Sequence, residues 1–310
     1  MKILFVWTGI TRCAGDCWRA LQALPGVELK IVIDAERSPS LEREILHGLD
    51  YEIAAGEGWK WAEDGKFCPD VVFAVGWHSR IVRAFVGRAD WRAVPKVFCF
   101  DMPWRWQFRC IMARFVLRRY LRSFRAAYVP GVASERYAKW LGFRRIYKGF
   151  LSMDIGRFSP PDPSLPRQGF LYVGRNAPEK RVDLIRNAYE RYRSAGGTWT
   201  LECHHHTPYS ELPQIYAGHA CLVLSSAFDP WPLVALEAKA AGCEVILSDR
   251  CGNRLELETR VVKFGDVGAL AQEMLMVEGA ARPVRRQDLG FWNCREWATR
   301  TLAISREVTR

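Results

Sequence analysis

The sequence predicts an α/β protein built on two parallel sheets, and three observations predict it. Strand-like and helix-like stretches alternate from one end of the 310 residues to the other, the pattern of chains that cross over between parallel strands. The strand-like stretches are short, nearly continuous apolar runs, as strands covered on both faces require. Midway, SPPDPSLPRQG (159–169) holds four prolines in eleven residues without periodicity and divides the chain into two halves. Two such halves imply a cleft, where ligands commonly sit.

Taken in order, ILFVW (3–7) reads as a buried strand, and a helix follows around Asp16–Leu24. KIVID (30–34), DVVFAV (70–75) and KVFCF (96–100) are further strands, and a long helical stretch covers roughly 104–126. AAYVP (126–130), the helix SERYAKWLG (134–142) and RIYKG (145–149) complete the first half. The alternation restarts with the strand GFLYVG (169–174) and a helix over 180–195. TWTLEC (198–203), CLVLSS (221–226) and EVILSD (244–249) are strands, separated by helices near 210–217 and 232–241. Helices over 269–277 and 291–308 end the chain.

Composition narrows the class. The chain is 49% apolar and 25% charged, ordinary for a globular protein, and no apolar run approaches the length of a membrane span. MKILFVWTG reads as a first buried strand rather than a signal peptide. Ten scattered cysteines, several inside expected strands or helices, fit a reducing compartment and so a cytoplasmic location. Cys13 and Cys17 stand four apart without a second pair at zinc spacing, so no metal is expected. The net charge of +11 favours an anionic partner without choosing among nucleic acid, lipid and phosphorylated substrate.

Two sites carry chemistry. In SSAFDPWPLVALEAKAAG (225–242), Asp229 and Glu237 have seven residues between them, and Pro232 opens a helical run. Proline at a helix start removes an N–H that has no intrahelical partner anyway. The amides of Leu233 and Val234 then remain, with the helix dipole, as an anion site. A capped amphipathic helix with two solvated acids is the plainer alternative. In VGRNAPEKRVDL (173–184), Arg175 stands at a strand's carboxyl end with Lys180 five residues on, where ligands bind to α/β sheets. Two cations there could clamp a diphosphate; a surface ion pair with Glu179 or Asp183 is the other option.

Together these segments resemble the retaining glycosyltransferases of the GT-B fold, family 4. SSAFDPWPLVALEAKAAGCEVILSD is similar to that family's nucleotide-sugar signature, and VGRNAPEKRVDL to its phosphate-clamping segment. GFLSMDIGRFSPP (149–161) resembles its interdomain crossover, SELPQIYAGHACLVLSS (210–226) its Leu-x-x-x-Tyr approach, and 251–275 the loop, strand and helix that follow. The likeness covers most of 149–278 in order.

The resemblance implies two Rossmann-like domains with parallel sheets facing across a cleft. Residues 1–158 would bind the acceptor, 159–169 link, 170–288 hold the nucleotide-sugar, and 289–310 form a helix packing back across the cleft. It further implies that Arg175 and Lys180 hold the departing diphosphate, that Glu237 binds the ribose, and that Asp229 contacts the sugar. Gly9, in the first loop, would face the same phosphates. The reaction would move a sugar from a nucleoside diphosphate-sugar to a hydroxyl acceptor, a glycan or lipid-linked glycan, with retention and without a metal.

Departures from the family pattern are plain. Asp229 is one methylene shorter than the usual Glu, and Trp231-Pro232 replaces Phe-Gly. Where many relatives carry a histidine beside the sugar, Phe100-Asp101 stands, so Asp101 substitutes or the role is absent. His78, after DVVFAVGW, is a second candidate, a packed or solvent-facing histidine its alternative. His204, His205 and His206 are adjacent and cannot all ligate one ion; they line the base or ribose pocket, His204 foremost, or form a polar loop. Residues 102–134 hold seven arginines and no acid, with Arg114, Arg118 and Arg122 at helical spacing. That face meets anionic lipid at the inner membrane surface and a lipid-linked acceptor, or is the solvated side of a core helix. An epimerase or non-catalytic sugar-nucleotide-binding protein on the same fold, and a basic nucleic-acid-binding protein, are the rival functions.

Overall fold

The computed structural model describes residues 1–34, 43–54, 67–158, 167–280 and 287–310. Most of the expected linker, 159–166, lies outside the described residues. The chain divides into two compact units: Met1–Asp154 with Phe291–Arg310, and Ile155–Gly290.

In the first unit the elements run β1 (Lys2–Trp7), α1 (Arg12–Gln22), β2 (Glu28–Asp34), β3 (Tyr51–Ala54), β4 (Val71–Val75), α2 (Arg80–Val86) and β5 (Lys96–Cys99). α3 (Phe108–Val116), α4 (Arg118–Leu121), β6 (Ala126–Val129), α5 (Val132–Leu141) and β7 (Ile146–Lys148) follow. The second unit contains β8 (Phe170–Val173), α6 (Val182–Ser194), β9 (Leu201–His204), α7 (Leu212–Gly218), β10 (Cys221–Leu224), α8 (Leu233–Ala240), β11 (Glu244–Ser248), β12 (Arg260–Val262) and α9 (Val267–Gly279). α10 (Cys294–Thr309) belongs to the first unit.

All pairings between these strands are parallel. The first sheet has the order β3-β2-β1-β4-β5-β6-β7, so its winding reverses between β1 and β4. The second has the order β12-β11-β10-β8-β9 and reverses between β8 and β10. Loops leaving the two strands at a reversal diverge to opposite faces and leave a crevice at their carboxyl ends. The fold thus singles out one corner in each unit.

Burial explains why the strands are apolar throughout. Ile3 to Val6 of β1 and Val71 to Ala74 of β4 are wholly inaccessible, because helices cover both faces. One side of the first sheet carries an aromatic cluster in which Phe5 stacks on Phe73 at 4.8 Å and meets Trp18 and Trp297. Trp297 brings α10 into this core, and its indole N–H donates to the Phe150 carbonyl at 2.7 Å. Thr11, Ser79, Asp266 and Asn293 cap their helices by accepting from backbone amides two or three residues further on, in the first turn.

Four elements depart from expectation. β3 and α2 are too short, at four and seven residues, to show a period. The helix expected over 104–126 breaks at Leu117 into α3 and α4. A 3-10 turn over Pro178–Lys180 and a left-handed Arg181 (φ 49°) precede α6, where a single helix from 180 is expected.

Candidate functional site

The corner of the second unit is built by the loops leaving β8 and β10. After β8, the Tyr172 hydroxyl donates to the Arg175 carbonyl at 2.9 Å, and the 3-10 turn delivers Lys180. After β10, the Ser225 hydroxyl donates to the Arg181 carbonyl at 2.6 Å, and the Ala227 amide donates to the Glu179 carbonyl at 2.8 Å. These bonds stitch the two loops together and hold Arg181 in its left-handed conformation, which a non-glycine residue adopts only under restraint.

Across the stitch the Lys180 ammonium meets the Asp229 carboxylate, Nζ to Oδ2 2.5 Å, with both side chains largely covered. The two expected site residues therefore contact each other, although neither surface pairing considered for Lys180 includes Asp229. Asp229 is braced from behind. It forms a parallel bridge with Cys251, and its carbonyl accepts from the Gly252 amide at 2.8 Å. A Cβ on Gly252 would collide with the Pro230 carbonyl, so only glycine fits there. Asn253, wholly buried, donates its side-chain amide to the Pro232 carbonyl at 3.0 Å and pins the start of α8.

Pro232 caps α8 without a side-chain acceptor. The amides of Leu233 and Val234 thus head the helix at this corner with no cap claiming them, the condition for an anion site. Further in, Glu237 is 4% exposed and its Oε2 accepts from the Tyr216 hydroxyl at 2.8 Å. Burial pushes its carboxyl up to about 7, against the pull of Tyr216. Asp229 is 8% exposed. Neither acid is the solvated group that the plainer reading of the helix requires.

Arg175 stands apart from this buried pair. Its side chain is 73% exposed and pairs with Glu179 at 3.2 Å, one of the alternatives open from sequence. His204 ends the edge strand β9, with its ring nitrogens near Thr207 at 3.2 Å and Glu202 at 3.3 Å. It is His205 that reaches the loop after β8, its Nδ1 3.2 Å from the Gly174 carbonyl. No group of three or more His, Cys, Asp or Glu side chains is assembled for a metal ion among the described residues.

The corner of the first unit is formed after β1 and β4. Gly9 adopts φ 71° directly after β1, and its carbonyl accepts from the Trp7 indole at 3.2 Å. Gly76, at φ 87°, leaves no room for a Cβ beside Thr8, which lets the two loops approach closely. His78 is exposed after β4, with its ring edge-on to Trp77. Asp101 follows β5, and its carbonyl accepts from the Ser134 hydroxyl at 2.6 Å. Elsewhere in this unit, Arg114, Arg118 and Arg122 line one groove of about 540 Å³ with Arg125 and Arg144, despite the break at Leu117.

Sequence reasoning missed the residues that brace the corner. Ser225, Gly252 and Asn253 carry no signal beyond lying in the motif or after a strand. Tyr216 did leave a trace, as the last residue of the Leu-x-x-x-Tyr stretch.

Residues 200–277 match the family described as Glycosyl transferases group 1. The group 1 segment runs from β9 into α9 and includes Tyr216, Asp229, Glu237 and Asn253; Arg175 and Lys180 precede it. No curated protein sequence matches the chain. Among solved structures, a glycosyltransferase from Rickettsia africae superposes with a TM-score of 0.74 at 11% identity, covering 100% of this chain and 98% of that one. Sucrose-phosphate synthase from Thermosynechococcus elongatus gives 0.71 at 15% identity, covering 99% of each chain. Anabaena HepE in complex with UDP and glucose gives 0.65 at 14%, covering 99% of this chain and 98% of that one. At such identities the likeness bears on the fold, and the fold is GT-B: an α/β chain with parallel sheets of seven and five strands.

Proposed function

We propose that this protein is a retaining glycosyltransferase that moves a sugar from a nucleoside diphosphate-sugar to a hydroxyl of a glycan or lipid-linked glycan. The observation that carries this reading is the Lys180–Asp229 pair at the reversal of the second sheet, beside the uncapped start of α8. The group 1 match across the same corner supports it, as do the UDP and UDP-glucose complexes of the Anabaena protein.

Each residue then has a role. The α8 amides and Lys180 receive the diphosphate, and exposed Arg175 swings from Glu179 to add a second cation. Their charge stabilises the diphosphate as the bond to the anomeric carbon breaks, and fixed dipoles do so without reorganising. Asp229, relieved of part of its pairing when Lys180 turns to phosphate, accepts from the sugar hydroxyls. Glu237 accepts from the ribose, while His204 and His205 border the base or ribose. Two cations and a helix terminus supply the countercharge, so this chemistry calls for no metal. Acceptor recognition falls to the first unit, where His78 follows the end of β4; Gly9, after β1, is assigned to the donor phosphates and Asp101, after β5, to the transferred sugar.

A thermal-shift screen across UDP-, GDP-, ADP- and TDP-sugars tests the reading, since a ligand bound to the folded state raises the melting temperature. At least one is expected to raise it, and NMR of the glycoside formed should show the donor's anomeric configuration. No shift with any nucleotide-sugar, or donor turnover without an acceptor, contradicts transfer.

A further inference from the structure

The outer face of α3 is inverted. Phe108 and Phe115, seven residues apart on one helix face, are 79% and 60% exposed. Val116 is 74% exposed and Trp106, just before the helix, 86%. The buried residue of α3 is Cys110. A helix that shows its large apolar side chains to solvent lacks the usual reason to fold that way round. Beside this face lies the groove lined by Arg114, Arg118, Arg122, Arg125 and Arg144. The surrounding stretch, 102–134, contains no acid.

We propose that this surface docks on an anionic phospholipid bilayer, independently of the sugar-transfer reading. Trp106, Phe108, Phe115 and Val116 enter the boundary between headgroups and acyl chains, and the groove arginines take the lipid phosphates. Indole and phenyl rings suit that boundary, and arginine stems lie along apolar surface while their heads stay in the polar layer. Charge complementarity selects the occupant. A second copy of this chain would set one run of seven arginines against another. A single-stranded nucleic acid could stack bases on Trp106, Phe108 and Phe115, but it would leave the aliphatic Val116 at the end of α3 without a partner, which acyl chains supply.

The test is co-sedimentation of the full chain with phosphatidylcholine vesicles, with and without phosphatidylglycerol, at physiological ionic strength. The parent should bind the anionic vesicles and ignore the neutral ones. The combined Arg114→Gln, Arg118→Gln and Arg122→Gln variant should bind about a hundredfold more weakly, from a roughly fivefold contribution per arginine near an anionic surface. Phe108→Ser with Phe115→Ser should also weaken binding, and should do so at low salt as well. All these side chains are exposed, so an unchanged melting temperature serves as the folding control. A parent that ignores anionic vesicles, an arginine variant that binds like the parent, or tighter retention by single-stranded RNA than by vesicles overturns the proposal.

Discussion

The corner of the second unit and the arginine face of the first both present cations, yet they handle charge in opposite ways. At the corner, Lys180, Arg175 and Arg181 are matched one to one with Asp229, Glu179 and Asp183. The Lys180–Asp229 pair is largely covered, and backbone bonds fix the loops that carry it. On α3 and α4 the arginines have no acid in their own stretch of sequence, and the apolar side chains between them stand in solvent. A matched, braced cation waits in one geometry and suits a small ligand of defined shape. Unmatched arginines on long stems suit a broad, laterally mobile anionic surface.

If bracing is what separates the two, breaking it should disable the corner alone. Gly252→Ala forces a methyl group into the Pro230 carbonyl, behind Asp229. A cost of about 4 kcal/mol or more is expected, at the high end for single substitutions. Nucleotide-sugar binding measured by calorimetry should disappear while vesicle binding persists. Intact nucleotide binding in this variant would show that the brace is dispensable.

Glu237 sharpens the contrast further, because it ties the corner to pH through burial. Its folded pKa of about 7 exceeds the ordinary 4.5, so the folded chain holds this proton more tightly than the unfolded chain. The stability that the proton confers is complete below pH 4.5 and is lost as the pH rises through about 7. That loss amounts to about 3 kcal/mol. Glu237→Gln keeps an acceptor for Tyr216 and removes the titration. Denaturant unfolding at about pH 5 and about pH 8 should show the variant gaining that amount on the parent as pH rises. Parallel curves would mean that the carboxylate stays ionised and hydrated in the fold.

Much of this was legible in the sequence, for identifiable reasons. Continuous apolar runs located β1, β2, β4, β5, β6, β8, β10 and β11, because strands covered on both faces leave no alternation to misread. The placement of Arg175 and Lys180 after a strand end, and of Asp229 and Glu237 around a proline-opened helix, was legible because these are local patterns. The 49-residue separation between Lys180 and Asp229 hid their contact, since parallel crossovers bring distant loops together without a local trace. The brace from Gly252 and Asn253 was hidden for the same reason. β3 and α2 escaped because four and seven residues show no period. The break at Leu117 escaped because the sequence around it, FVLRRYL, has no glycine or proline to mark an end.

The central claim is that Lys180 exchanges Asp229 for the phosphates of a nucleotide. Titration calorimetry of the parent and of Lys180→Ala, with the nucleoside diphosphate that most raises the melting temperature and with its bare nucleoside, tests it directly. The variant should bind the diphosphate about a hundredfold more weakly, the expected worth of charge-assisted hydrogen bonds to phosphate, and the nucleoside as well as before. Equal affinity of parent and variant for the diphosphate would contradict the claim.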